Sequence, residues 1–187
     1  MIVWIDGTFG VGKTSVAEAL KEKLPLQDVI HLDADRSYQA GNRKYFGGGF
    51  FAQNNERFLS DFKSQIEESV KENEIVIVTM ALTMDECRDY LFRQLQSTTS
   101  KLIHVILFAD EQTVLSRIEN DVPTRDKDYA KRNMKKNTEY LSKNFSEAIR
   151  LDTDGKSINE VADAILEIIK AHQYQITRST AERDSAR

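Results

Sequence analysis

A single cysteine, Cys87, stands among 187 residues, so the chain can form no internal disulfide. A disulfide-stapled extracellular scaffold is excluded, and a reducing compartment suits the sequence. Cys87 follows Asp85 and Glu86, an acidic setting that disfavours a thiolate and argues against a cysteine nucleophile. Long apolar runs are also missing, and nothing approaches the roughly 20 residues a membrane span requires. The opening Met1–Ile5 is apolar, but Asp6 ends it well short of a signal-peptide core. These features predict a soluble cytoplasmic protein with no stable membrane insertion. Positive charge is not in excess: the net charge is −4 and the pI about 5.5. That balance argues against nucleic acid as the main partner while leaving room for local basic pockets. Internal repeats are lacking, as is an Asn-Lys-x-Asp segment of the kind that reads guanine.

What remains is an ordinary globular composition, 40% hydrophobic and 30% charged, at a length that suits one domain with its own core. Five short apolar runs read as buried strands: Ile2–Ile5, Val29–Leu32, Ile75–Met80, Leu102–Phe108 and Ala148–Leu151. Helical stripes lie between them. Val16, Leu20 and Leu24 share one face, as do Leu59, Phe62, Ile66 and Val70, and later Ile158, Val161, Ala162, Ile165 and Ile169. Alternation of strand and helix predicts an α/β fold with a parallel sheet covered on both faces. Residues 1–172 form the expected single domain. The polar segment 173–187 is expected to be a frayed tail or an extra surface helix. Residues 36–55, with Gly41, Gly47, Gly48 and Gly49 among aromatic and basic side chains, predict a mobile loop.

The segment Gly7-Thr-Phe-Gly-Val-Gly-Lys-Thr14 satisfies G-x-x-x-x-G-K-[ST] at every fixed position, between a predicted strand and a predicted helix. Glycines allow the backbone angles that turn successive N–H groups into an anion-binding nest. The helix N-terminus adds partial positive charge beneath it. Gly7, Thr8, Phe9, Gly10, Val11, Gly12, Lys13, Thr14 and Ser15 are therefore the candidate cofactor-binding set, for a purine nucleoside triphosphate. Lys13 is placed to reach the β- and γ-phosphates, and Thr14 to offer its hydroxyl to Mg²⁺.

Carboxylates are scarce where motor and transporter ATPases carry one, since the third strand ends Val78-Thr79-Met80. Asp110, after the fourth strand, fits the cap of a helix beginning at Glu111 better than a metal site. The second strand instead runs into Asp33-Ala-Asp35. An extended segment leaves the sheet here, and its period of two puts both carboxylates on one side, facing the phosphates. One can orient Mg²⁺ through water, and the other can accept a substrate hydroxyl proton or position that hydroxyl. The competing reading is turn and cap chemistry.

The phosphate loop, this Asp-x-Asp and a late cationic segment together resemble the small P-loop kinases, among them shikimate, gluconate and chloramphenicol phosphotransferases. The opening Met-Ile-Val-Trp-Ile-Asp-Gly-Thr-Phe-Gly-Val-Gly-Lys-Thr is similar also to the tunicamycin-resistance-type P-loop proteins. The resemblance implies a three-layer α/β/α P-loop fold with a five-stranded parallel sheet, and use of ATP and Mg²⁺. It implies a lid at about 117–136, with Arg117 and Arg125 clamping phosphate charge. An adenine-contacting loop would fall at Asp152-Thr-Asp-Gly155. Lys131, Arg132, Lys135 and Lys136 fit a solvated helix face better than the clamp. The expected catalytic set is Lys13, Asp33, Asp35, Arg117 and Arg125, with Thr14 and Asp33 at the metal. The expected function is phosphoryl transfer to a small-molecule hydroxyl, of a metabolite or antibiotic, by a monomer or homodimer. The alternative is a nucleotide-binding resistance or regulatory protein that sequesters its ligand without phosphorylating it.

Overall fold

The computed structural model describes residues 1–24, 28–45, 52–99, 101–121 and 126–184. Five parallel strands, β1 (Ile2–Gly7), β2 (Val29–Asp33), β3 (Ile75–Thr79), β4 (Leu102–Phe108) and β5 (Ile149–Asp152), form one sheet in the order β2-β3-β1-β4-β5. Each predicted strand is present, shifted by no more than two residues at an end. β1 is buried along its whole length, which fits its central place and its near-continuous apolar sequence. Registers Ile5↔Thr79, Asp33↔Thr79 and Gly7↔Leu107 bring the carboxyl ends of four strands to one edge.

One face of the sheet is covered by α1 (Lys13–Lys23) and α8 (Ile158–Asp184). Val16, Ala17 and Leu20 of α1 meet Val161, Ala162, Ile165 and Ile169 of α8 against Val3, Ile5 and Val105. Ile158 falls off that stripe: it opens the helix and stays 49% exposed, before α8 reaches the sheet. The helix continues to Asp184, so most of the polar C-terminal segment is helical.

The other face carries α4 (Glu56–Glu72), a π-helical turn (Cys87–Phe92) running into α5 (Arg93–Thr98), and the end of α7 (Lys127–Asn144). Trp4, Phe58, Phe62, Leu91 and Leu141 form its centre. Between them α6 (Glu111–Glu119) packs on α7 through Val114, Ile118, Ala130 and Met134. Asp110 caps α6 by accepting the Thr113 N–H at 2.7 Å, the role its sequence position suggested.

The expected loop at 36–55 is largely helical where it is described. α2 (Ala34–Ala40) and α3 (Asn42–Tyr45) are followed by a 3₁₀ turn at Ala52–Asn54. Tyr38 stacks on Tyr45, and both rings meet Phe58 edge-on at 5.2 Å. Buried Asn55 ties the region down, donating to the Tyr45 carbonyl at 2.9 Å while accepting the Phe58 N–H. This aromatic packing overrides the weak helical propensity of the segment. Gly47, Gly48 and Gly49 lie outside the described residues.

Candidate active site

β1 ends in Gly7, and the loop that follows turns inward on three glycines with positive φ: Gly7, Gly10 and Gly12 at 144°, 72° and 101°. Two of them show what glycine does here. A Cβ on Gly10 would lie 2.7 Å from Ile118 and 3.1 Å from the Val114 carbonyl, so the loop can sit on α6 only without a side chain there. A Cβ on Gly12 would meet nothing within 4 Å, but Gly12 is the left-handed N-cap of α1, whose first N–H groups it leaves facing the loop mouth. The rest of the loop is anchored by its side chains. Val11 is buried in the α1 face of the core, Thr8 donates to the Met134 carbonyl at 3.2 Å, and Phe9 meets Tyr129 edge-on at 5.7 Å. Ser15 is exposed on the first turn of α1.

Lys13 spans the loop, its Nζ donating to the carbonyls of Gly7 at 2.9 Å and Thr8 at 3.0 Å. Thr14 donates its hydroxyl to Asp33 Oδ2 at 2.9 Å, joining the loop to the end of β2. Asp33 also caps α2, accepting the Arg36 N–H at 3.0 Å. Burial works against ionising this carboxyl. The hydrogen bonds from Arg36, Thr14 and Thr79 outweigh it and hold the pKa below the usual aspartate value. A group depressed in this way adds stability above its unfolded pKa and loses it only as pH falls through the folded one. Asp33 is therefore charged throughout the neutral range.

Asp35 is on the first turn of α2, exposed, and makes no hydrogen bond among the described residues. The extended segment that would have put both carboxylates on one side by a period of two stops at Asp33, because Asp33 itself starts a helix. Thus the cap reading and the metal reading of Asp33 are compatible: Oδ1 caps while Oδ2 meets Thr14.

Arg117 lies in the last turn of α6. Its guanidinium donates to Thr153 Oγ1 at 2.8 Å, the Thr153 carbonyl at 2.9 Å and the Val11 carbonyl at 3.3 Å. It thus joins the phosphate loop to the segment after β5. Arg125 lies outside the described residues. Lys131 pairs with Glu119, while Arg132, Lys135 and Lys136 are exposed on α7.

The profile of the shikimate kinase family matches residues 9–170. The chain belongs to that family. A shikimate kinase from Bacillus cytotoxicus is 25% identical over 171 residues, which span 90% of this chain and 98% of the relative. Among solved structures, the tunicamycin resistance protein of Deinococcus radiodurans superposes with a TM-score of 0.71 at 23% identity, covering 90% of this chain and 94% of its own. A gluconokinase from Sinorhizobium meliloti gives 0.63 at 15% identity, over 92% and 95%. These two likenesses confirm the P-loop kinase fold.

As a member of the shikimate kinase family, this protein is a phosphotransferase for a small molecule with a hydroxyl acceptor. No helix among the described residues is long and apolar enough to cross a membrane. Several supporting residues at this kinase site were not visible in the sequence. Thr79, at the end of β3, bonds His31 Nε2 at 2.9 Å and also supports Asp33. Burial pushes the His31 imidazole below its usual pKa, against the pull of Asp33. Gln53 accepts the N–H and the hydroxyl of Thr83 at 2.8 and 3.0 Å, joining the 3₁₀ turn at Ala52–Asn54 to the segment after β3. Cys87 is fully buried, and burial, with Asp6 and Glu86 nearby, drives its thiol well above the usual pKa, which removes it from the chemistry.

Proposed function

We propose that the protein transfers the γ-phosphoryl group of ATP, as its Mg²⁺ complex, to a hydroxyl of a small polar metabolite or antibiotic. The observation that carries this reading is the Thr14–Asp33 hydrogen bond at the mouth of the phosphate loop. A threonine hydroxyl that gives its proton to a charged carboxylate turns its lone pairs outward, where a hard cation can use them. Among the described residues no group of three or more His, Cys, Asp or Glu could hold a metal alone. Magnesium here would share its coordination with phosphate oxygens and water, as this ion commonly does. It would neutralise charge on the transferring group.

Lys13 and the loop N–H groups hold the phosphates, Thr14 and Asp33 orient the metal, and Asp35 accepts or positions the acceptor hydroxyl. Arg125 is assigned to phosphate charge on the resemblance to the small P-loop kinases, which use an arginine at this point of the chain for that purpose. Arg117, engaged with Val11 and Thr153, is an anchor for the nucleotide side rather than a transition-state clamp. Arg117→Ala is therefore expected to raise the Kd of Mg·ATP about tenfold, since one charge-assisted hydrogen bond is worth about 1.5 kcal/mol. Its kcat at saturating ATP should change far less. Calorimetry beside steady-state kinetics reads the split, and a fall in kcat with unchanged Kd would return Arg117 to the clamp.

Metal removal tests the main reading. With EDTA in excess over total divalent cation, acceptor-dependent ADP release should fall to background, and added Mg²⁺ should restore it. Full turnover in EDTA would remove the metal from the reaction. The likeness to the Deinococcus radiodurans resistance protein supports keeping antibiotics among the acceptors assayed.

A further inference from the structure

The last side chain before the phosphate loop is a carboxylate with no solvent contact. Asp6 is 0% exposed. Its Oδ1 accepts the Gly7 N–H at 2.6 Å and the Leu82 N–H at 3.1 Å, and its Oδ2 lies 3.1 Å from His104 Nε2. One carboxylate thus joins three segments distant in sequence. Gly7 opens the phosphate loop. Leu82 lies just past β3, beside Thr83 and its Gln53 contact. His104 is on β4, its side chain 8% exposed, with ring centroids 4.6 Å from Phe92 and 4.9 Å from Phe145.

Burying a carboxylate is costly unless it is paired and fully hydrogen-bonded, and truncating one partner leaves the rest of the cost uncompensated. Apolar residues fill the surrounding strand positions, so packing alone does not call for a charge at residue 6. What an apolar side chain could not do is accept two backbone N–H groups from the two sides of the site. The Gly7 N–H, at a residue with a φ of 144°, finds its acceptor in the Asp6 side chain. A carboxylate can only accept in this contact, so the pairing calls for a proton on His104 Nε2.

We infer that Asp6 and His104 are positioning residues that lock the entrance of the phosphate loop to the segment after β3, so that the nucleotide side and the acceptor side keep one relative geometry. The inference rests on the reading of this loop as a nucleotide site. Neither residue touches substrate: both act through the Gly7 and Leu82 peptides.

His104 also borders a surface cavity of about 220 Å³ lined by Phe92, Leu102, Asn144 and Phe145 among others. His104→Gly would connect that cavity to Asp6 and admit a free imidazole, which makes the hydrogen bond itself testable. In His104→Gly the Kd of a Mg²⁺ complex of a non-hydrolysable ATP analogue should rise about tenfold. Amide exchange at Gly7 and Leu82, read by ¹⁵N NMR without nucleotide, should quicken by a similar factor. Excess imidazole should restore both. N-methylimidazole, in alkaline buffer where it is neutral and has no N–H, should restore neither. Equal rescue by the two compounds, or unchanged Gly7 and Leu82 amides in the variant, would overturn the inference. A second pair guards against loss of folding in the glycine variant. His104→Gln keeps an N–H donor and should bind nucleotide like the parent, whereas His104→Met should show the tenfold loss; equal affinities would overturn the inference. The two readings fail separately. A parent protein without affinity for Mg·ATP would sink the nucleotide reading, while the nucleotide-free amide signals judge the positioning by themselves.

Discussion

Lys13→Ala is expected to abolish phosphoryl transfer, with kcat down by about 10²–10³ or more, the cost of removing a single charge-stabilising donor from a transition state. The side chain already spans the loop mouth, fixed to the Gly7 and Thr8 carbonyls, so its ammonium arrives at the phosphates without a large reorganisation. No other loop side chain from Gly7 to Thr14 carries a positive charge. The backbone N–H nest and the α1 N-terminus survive the substitution, so ATP binding should weaken but persist. Turnover and calorimetric titration on the same preparation check this. Unchanged turnover would mean the loop is not the phosphate site.

The carboxylates of β2 and α2 should separate cleanly by substitution. In Asp33→Asn the amide can still accept the Arg36 N–H through oxygen, but its nitrogen would face the hydroxyls of Thr14 and Thr79. Thr14 would then have to turn its lone pair inward, away from the metal. Turnover should fall and the Mg²⁺ concentration needed for half-maximal rate should rise. Asp35→Asn alters nothing in the loop, because Asp35 makes no hydrogen bond among the described residues. Mg·ATP affinity should be retained while transfer drops about 10²–10⁴-fold, the usual worth of general-base help. Rates against rising Mg²⁺ for both variants distinguish the roles. A metal-dependent defect in Asp35→Asn, or a normal Asp33→Asn, would reverse the assignment.

What the sequence made legible was local. Gly7–Thr14 carries its geometry in consecutive residues, and β-branched runs such as Ile75–Thr79 declare buried strands. Asp33 was visible because it ends a strand within a short motif. Asp35 was misjudged in conformation: the period of two holds only while the chain is extended, and Asp33 nucleates a helix by capping it. Contacts made across the sheet had no sequence signal. Asp6 and His104 are 98 residues apart, and only the β1–β4 pairing brings them together. Arg117 was read as a lid residue from the resemblance to the small P-loop kinases, which place clamping arginines at this point of the chain. Yet the helix carrying it is pinned by buried Val114 and Ile118, which direct the guanidinium to Val11 and Thr153. Ile158 matched its stripe in spacing and still stayed outside, since periodicity does not say where a helix begins to touch the core.

The central claim is that a phosphoryl group reaches a small-molecule hydroxyl. Its most direct measurement is mass spectrometry after incubating the protein with Mg·ATP and a panel of acceptors: shikimate, gluconate, other hydroxylated metabolites and hydroxyl-bearing antibiotics. The account predicts one acceptor that gains a single phosphoryl group in step with ADP, with neither product formed by Lys13→Ala. An acceptor bound tightly with ATP present, yet recovered unmodified and without ADP, would contradict it and favour a protein that sequesters its ligand.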